Sequence, residues 1–227
     1  KFPLLVAVAT MMTCSFSACS DNDDPTPDTG TSETDAKFEA IAKQYLDHTV
    51  YVTYKNLADE TEQLVKDLQA LKSSKTDANV KATCETFLEA RAWWEKSEAF
   101  LYGAATDFGI DPHIDSWPLD LDGLQTALKN TEQVEAMGGE DGDIYAGEKL
   151  GNSLLGFHGI EYILFEDGSP KSVSKISDLH LTYAVAVAGD LRNRCWQLEL
   201  SWRGESAVNA DRVAKVANEL ELPYTVN

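Results

Sequence analysis

The apolar residues between positions 181 and 202 constrain this chain more than any other feature. Leu181, Ala184, Ala188, Leu191, Cys195, Leu198 and Trp202 recur by steps of three and four. That period lays them along one face of an α-helix, whereas a strand would alternate. The same period returns along most of the chain. Ser32-x-x-Asp35 reads as a capping box that opens a first helix. Phe38, Ile41, Tyr45 and Val52 begin its stripe, and Leu57, Leu64, Leu68 and Leu71 carry one at its far end. After a turn at 73–77, Val80, Cys84, Phe87, Arg91, Trp94, Glu98 and Leu101 mark a second helix. Gly103, Gly109, Asp111-Pro112 and Trp117-Pro118 interrupt the period over 103–120. A short helical stretch over 121–136 and a loop at 137–143 follow. A third long helix is expected from near Glu148, with Leu150, Leu154, His158, Glu161 and Phe165 on one face, stopped by Asp167-Gly168-Ser169-Pro170. The residues from 181 form the fourth helix, and a weaker one is expected from 207 to about 220. Alternating patterns are almost absent, which predicts an all-α antiparallel helical bundle.

The first residues read as a targeting segment instead of fold. Lys1 precedes an apolar run, Phe2 to Met12, too short to span a bilayer as a mature helix. Ser17-Ala18-Cys19 resembles a bacterial lipobox, in which the cysteine is lipidated; Phe16 stands where leucine is usual, and Cys14 fits less well. Residues 1–18 are therefore expected to be a signal peptide. Residues 19–34, with Asp21, Asp23, Asp24, Pro25 and Pro27, are expected to be a lipidated disordered tether, and 35–227 the helical domain. This places the protein in a cell envelope as an outer-membrane lipoprotein, facing either the periplasm or the exterior. Asp and Glu number 38 against 19 Lys and Arg, a formal net charge of -19. Such a surface has nothing to neutralise a phosphate backbone and argues against nucleic acid as a partner. Cys84 and Cys195 remain in the folded part, where they could pair in an oxidising compartment or sit as buried thiols on apolar stripes.

Two helical seams carry residues foreign to a hydrocarbon core: Arg91 and Glu98 on the second helix, His158 and Glu161 on the third. Burying an unpaired charge costs about 3–5 kcal/mol, so these groups need each other or a ligand. One reading is a structural network from Arg91 to Glu98 or Glu161. The other is a cation site. His158 and Glu161 stand at i and i+3, so imidazole and carboxylate leave one helical face together, and a facing helix could add Glu98.

Gly156-Phe-His158-Gly-Ile-Glu161 matches the Gly-x-His-x-x-Glu signature of the imelysin-like family, also called the M75 peptidase family. Ala90-Arg91 through Glu98-Ala-Phe100 resembles its Arg-containing segment, and Ile114-Asp115-Ser-Trp-Pro118 its Ile-Asp segment. The resemblance runs over roughly residues 36–203. It implies an all-helical fold of two related bundles, an envelope location and association with iron uptake through a partner protein. It makes His158 and Glu161 metal ligands, Glu98 and Asp115 site carboxylates, and Arg91 a partner behind them. Family members usually continue into a second bundle, whereas here Asn227 follows without a clear stop. The expectation is a C-terminally truncated domain or one lacking the second bundle.

The residues lend little support to a peptidase. His-Glu-x-x-His and its inverted form are absent, and the other imidazoles are His48, His113 and His180. One imidazole among carboxylates suits iron or manganese as much as zinc. The favoured expectation is a metal-binding envelope lipoprotein, with iron as the first candidate. A metallopeptidase of the M75 type and a structural or adhesive surface module are the alternatives.

Overall fold

The computed structural model describes residues 32–225; the expected signal peptide, Cys14, Cys19 and nearly all of the tether lie outside the described residues. The first helix opens as the capping box predicts. Asp35 N–H donates to Ser32 Oγ at 3.1 Å and Ser32 N–H to Asp35 Oδ2 at 3.2 Å. Helix α1 spans Glu33–Tyr45, and a π-helical turn at Leu46–Val50 leads into α2, Tyr51–Ser73, with helical backbone angles kept through both junctions. The start of the expected stripe departs from the core, because α1 has no buried residue on any face. Phe38, Ile41, Tyr45 and Val52 are exposed, while the buried face starts at Val50 and runs through Tyr54, Leu57, Leu64, Leu68 and Leu71.

Thr76 caps α3, Asp77–Ser97, by accepting from Asn79 N–H at 3.1 Å. The three-residue turn between α2 and α3 makes them an antiparallel pair. The broken segment folds into two short helices, α4 at Ala104–Asp107 and α5 at Asp111–Asp115. Two more follow, α6 at Leu121–Lys129 and α7 at Thr131–Ala136, each N-capped by a side-chain oxygen, from Asp120 and Asn130.

The expected third long helix is instead two. Helix α8 covers Gly142–Lys149, Leu150 and Leu155 are extended, and α9 covers Gly156–Leu164. Leu150 and Leu154 fit the stripe by spacing alone and precede the helix that carries His158. A two-residue-stranded hairpin, β1 at Phe165–Glu166 with β2 at Ser169–Pro170, turns at Asp167 (φ 51°) and Gly168 (φ 72°).

Helix α10, Asp178–Arg203, is the axis of the molecule. Ser177 accepts from His180 N–H at 3.1 Å while His180 Nδ1 accepts from Ser177 N–H at 3.3 Å, so this imidazole is spent on a cap. Most of the 26 residues of α10 are buried, on every side of the helix. Lys75 pairs with Asp178 at one end, and Tyr54 stacks on Trp202 at 5.8 Å between ring centres at the other. Helices α2 and α10 are therefore antiparallel. Each fully buried leucine of this core contributes about 1.5–3 kcal/mol. Cys84 and Cys195 are unpaired and buried; burial pushes the Cys84 thiol up to about 12. The chain closes with α11, Ala210–Ala214, and a π turn at Lys215–Glu219, within the expected last helix. The architecture is the all-α bundle that the periodicity predicts.

Candidate metal centre

Four elements meet near the end of α3. That helix supplies Arg91, Trp94 and Glu95 from its last two turns, and a 3-10 turn, Glu98–Phe100, supplies Glu98. Asp115 ends α5, and α9 presents His158 and Glu161. Short as it is, α5 forms because Pro112 suits a first helical turn, and it ends where Ser116 turns extended. Buried Ile114 points it into the core.

Gly156 sets how closely α9 approaches α5. Its φ is +65°, and a Cβ there would lie 2.1 Å from the Ile114 carbonyl oxygen and 2.7 Å from that of His113. Only glycine lets the two backbones touch. This contact brings His158, two residues on, against Asp115.

Asp115 is the hub. His158 Nε2 lies 2.9 Å from its Oδ1, Trp94 Nε1–H donates to Oδ2 at 2.9 Å, and Arg91 Nη1–H also donates to Oδ1. His158 Nδ1 lies 3.2 Å from Glu161 Oε2, and Arg91 Nε–H donates to Glu95 at 2.6 Å. One carboxylate oxygen from each of Glu95, Glu98 and Asp115 falls within 4.8 Å of the other two. The Asp115 side chain is 13% exposed and Glu161 54%, so the aspartate is the anchored member and the glutamate the free one.

The electrostatics follow. Burial opposes charge on Asp115, but hydrogen bonds from His158, Arg91 and Trp94 outweigh it and hold the carboxyl well below the usual carboxylate range. The Asp115 hydrogen bond lifts His158 above the ordinary imidazole value, against the pull of burial and with help from Glu161. The centre thus favours the protonated form of the His158 imidazole, which lies between Asp115 and Glu161 beside the Arg91 guanidinium.

The structure brings Arg91, Asp115, His158 and Glu161 into one hydrogen-bonded group, with Glu98 near Asp115 but not bonded to it. Three expectations need correction. Glu98 does not lie on a buried seam: α3 ends at Ser97, the backbone tightens, and Glu98 is exposed. The partners of Arg91 are Asp115 and Glu95, not Glu98 or Glu161. The carboxylate against His158 comes from the short α5, not from a long facing helix.

Glu95 and Trp94 were not picked out from the sequence, though Glu95 stands at i+4 from Arg91, the spacing of a helical ion pair. Trp117 joins them, its ring 4.8 Å from that of His158 and 74% exposed. Trp117, Leu119, His158, Glu161 and Tyr162 line a cleft of about 200 Å³ that opens the centre to solvent. A larger cavity of about 530 Å³ lies elsewhere, beside Arg212, where Asp59, Glu62 and Glu199 already satisfy the guanidinium.

Among the described residues, Glu95, Glu98 and Asp115 form the group whose oxygens could share one hard or borderline divalent cation, and His158 with Glu161 adjoins it through the contact to Asp115 without being part of it. Asp115, common to both, would hold the ion and Arg91 would orient the carboxylates.

Comparison with known proteins agrees with the motifs. Residues 50–222 match the family model for imelysin, the peptidase M75 family. Iron-regulated protein A of Synechococcus elongatus is 31% identical over 163 residues, 71% of this chain and 40% of the relative. A crystal structure of a putative iron-regulated protein A precursor from Parabacteroides distasonis aligns with a TM-score of 0.66 and 26% identity, covering 84% of this chain and 53% of that one. This chain spans about half the length of the solved relative, and less of the curated one. It belongs to the imelysin family.

Proposed function

We propose that this protein is a bacterial envelope lipoprotein that binds one divalent cation, iron first, through Asp115, His158, Glu161 and Glu98, and serves iron uptake with an envelope partner protein. One observation carries the reading: an imidazole and a set of carboxylates from three separate elements converge on a single anchored aspartate. The relatives named iron-regulated protein A support iron over zinc or manganese. Lipidation of Cys19 would hold the domain at the outer membrane, on the periplasmic or outer face. No helix of the described residues is long and apolar enough to cross a bilayer.

Ligation needs a neutral imidazole, and Asp115 holds His158 protonated to a higher pH than usual. Affinity should therefore fall as pH drops through the raised His158 value, by up to about tenfold per unit. His158→Ala should weaken binding at least about tenfold and remove most of that pH dependence, the loss of one ligand amounting to about 1.4 kcal/mol or more. Calorimetric titration with manganese and ferrous iron across the neutral range measures both. Equal affinity in wild type and His158→Ala sinks the site. Chelator-sensitive cleavage of a protein substrate, lost in Glu161→Ala, would move the reading to a metallopeptidase.

The anchor has its own test. Mass spectrometry of the mature N-terminus should find an acylated Cys19, and Cys19→Ala should leave the membrane fraction. Full membrane retention of that variant removes the anchor.

A further inference from the structure

On the side of α5 away from the centre, Asp190 of α10 is a carboxylate with 5% of its side chain exposed. His113 Nδ1 lies 3.2 Å from its Oδ2, with the imidazole N–H donating. Arg194 Nε faces Oδ1 at 3.6 Å, beyond a good hydrogen bond. Helix α8 makes room for this carboxylate: a Cβ on Gly147 would lie 2.3 Å from Asp190 Oδ1. Stability alone does not call for such an arrangement. Removing water from a carboxylate costs several kcal/mol, and well-packed apolar groups often serve a core as well or better. The one hydrogen bond that Asp190 receives within good distance comes from the helix that carries Asp115.

We infer that His113 and Asp190 are positioning residues, which fix the rotation of α5 and thereby place the Asp115 carboxylate. A five-residue helix cannot hold its own orientation, because helix formation is cooperative and short segments are marginal. Its orientation comes from what grips it. Residues two apart on a helix point about 200° from each other. His113 and Asp115 therefore leave opposite sides of α5, one toward α10 and one toward α3 and α9. Ile114, between them, fills the core, and the carbonyls of His113 and Ile114 rest against Gly156. These contacts grip α5 on the sides of the core and of α9, and the His113–Asp190 bond adds a grip from α10. A shift of about 1 Å at Asp115 is enough to break geometry of hydrogen-bond precision. The two 2.9 Å contacts, to Trp94 and to His158, would both be lost.

The inference deepens the proposed metal site, but it can be tested without metal. The Trp94 indole N–H bonded to Asp115 reports where the carboxylate lies. In ¹H–¹⁵N spectra of the full chain, with the signal assigned by Trp94→Phe, His113→Phe and Asp190→Leu should move the Trp94 indole resonance toward its position in Asp115→Ala. Both should speed its solvent exchange at least about tenfold, the opening of a protected donor. Asp190→Asn keeps an acceptor for His113 and should leave the resonance in place. His113→Ala and Asp190→Ala, which insert no bulk, report the same effect where the larger substitutions unfold the chain. Manganese affinity should fall by about tenfold in parallel, about 1.4 kcal/mol. A wild-type Trp94 resonance and exchange rate in the folded His113 and Asp190 variants would overturn the inference. Trp94 shifts in the variants, together with wild-type protein that binds no manganese, would overturn the metal reading and leave the positioning role intact.

Discussion

Gly156→Ala is expected to destabilise the fold by about 3–5 kcal/mol and to abolish cation binding. Two costs add. A side chain at φ +65° is strained by about 1–3 kcal/mol, and forcing an extra methyl into filled space costs about as much again. The overlap is with the Ile114 backbone carbonyl, which has no rotamer to escape into. Relief requires α9 to move off α5, which separates His158 from Asp115. Urea unfolding and manganese titration of the same preparation check both halves. An unchanged unfolding midpoint would show that α5 and α9 are not held in contact. Lost stability with wild-type affinity would show that the contact is structural only.

Asp115→Ala should cost about 2–3 kcal/mol at neutral pH and weaken cation binding at least a hundredfold. Losing one partner of a buried ion pair costs about 3–5 kcal/mol; the lower figure allows for the partial exposure of Arg91 and its remaining bond to Glu95. The pH dependence makes the prediction sharper. His158 is raised on folding, so its share of stability is complete below the unfolded value of 6.5 and is lost as pH rises through the folded one. Asp115 is lowered on folding, so its share is present above the unfolded value of 3.8 and is lost as pH falls through the folded one. Between those two unfolded values both contributions are in force, and there the variant should fall furthest below wild type. Unfolding midpoints measured against pH would show it. A constant difference from acid to alkaline pH would contradict the coupling between Asp115 and His158.

The long elements were legible in the sequence because burial imposes a period. The α10 stripe survives intact, since every residue that predicted it is buried, and Ser32 and Asp35 cap as their spacing requires. Errors arose where a period was carried across a break it could not register. Leu150 and Leu154 keep the spacing of His158 although Leu155 and Gly156 leave the helix between them. Glu98 keeps the spacing of Trp94 although the helix ends one residue before it. Helix α1 keeps the spacing of a buried stripe although none of its residues is buried. The role of Asp115 was visible through the family motif alone, because a five-residue helix is too short to carry a period. Its contacts to Trp94 and His158 depend on the packing of three elements distant in sequence, which no local pattern encodes.

Arg91 gives the centre a property beyond orientation. Its guanidinium pairs with both Asp115 and Glu95, which offsets part of the repulsion within the acidic group. The carboxylates wait with a counter-ion of their own. Under the proposed reading, a cation would share these carboxylates with Arg91, so part of their attraction is spent before it arrives. An ion that shares its ligands with a fixed positive charge is held less tightly than one that has them to itself.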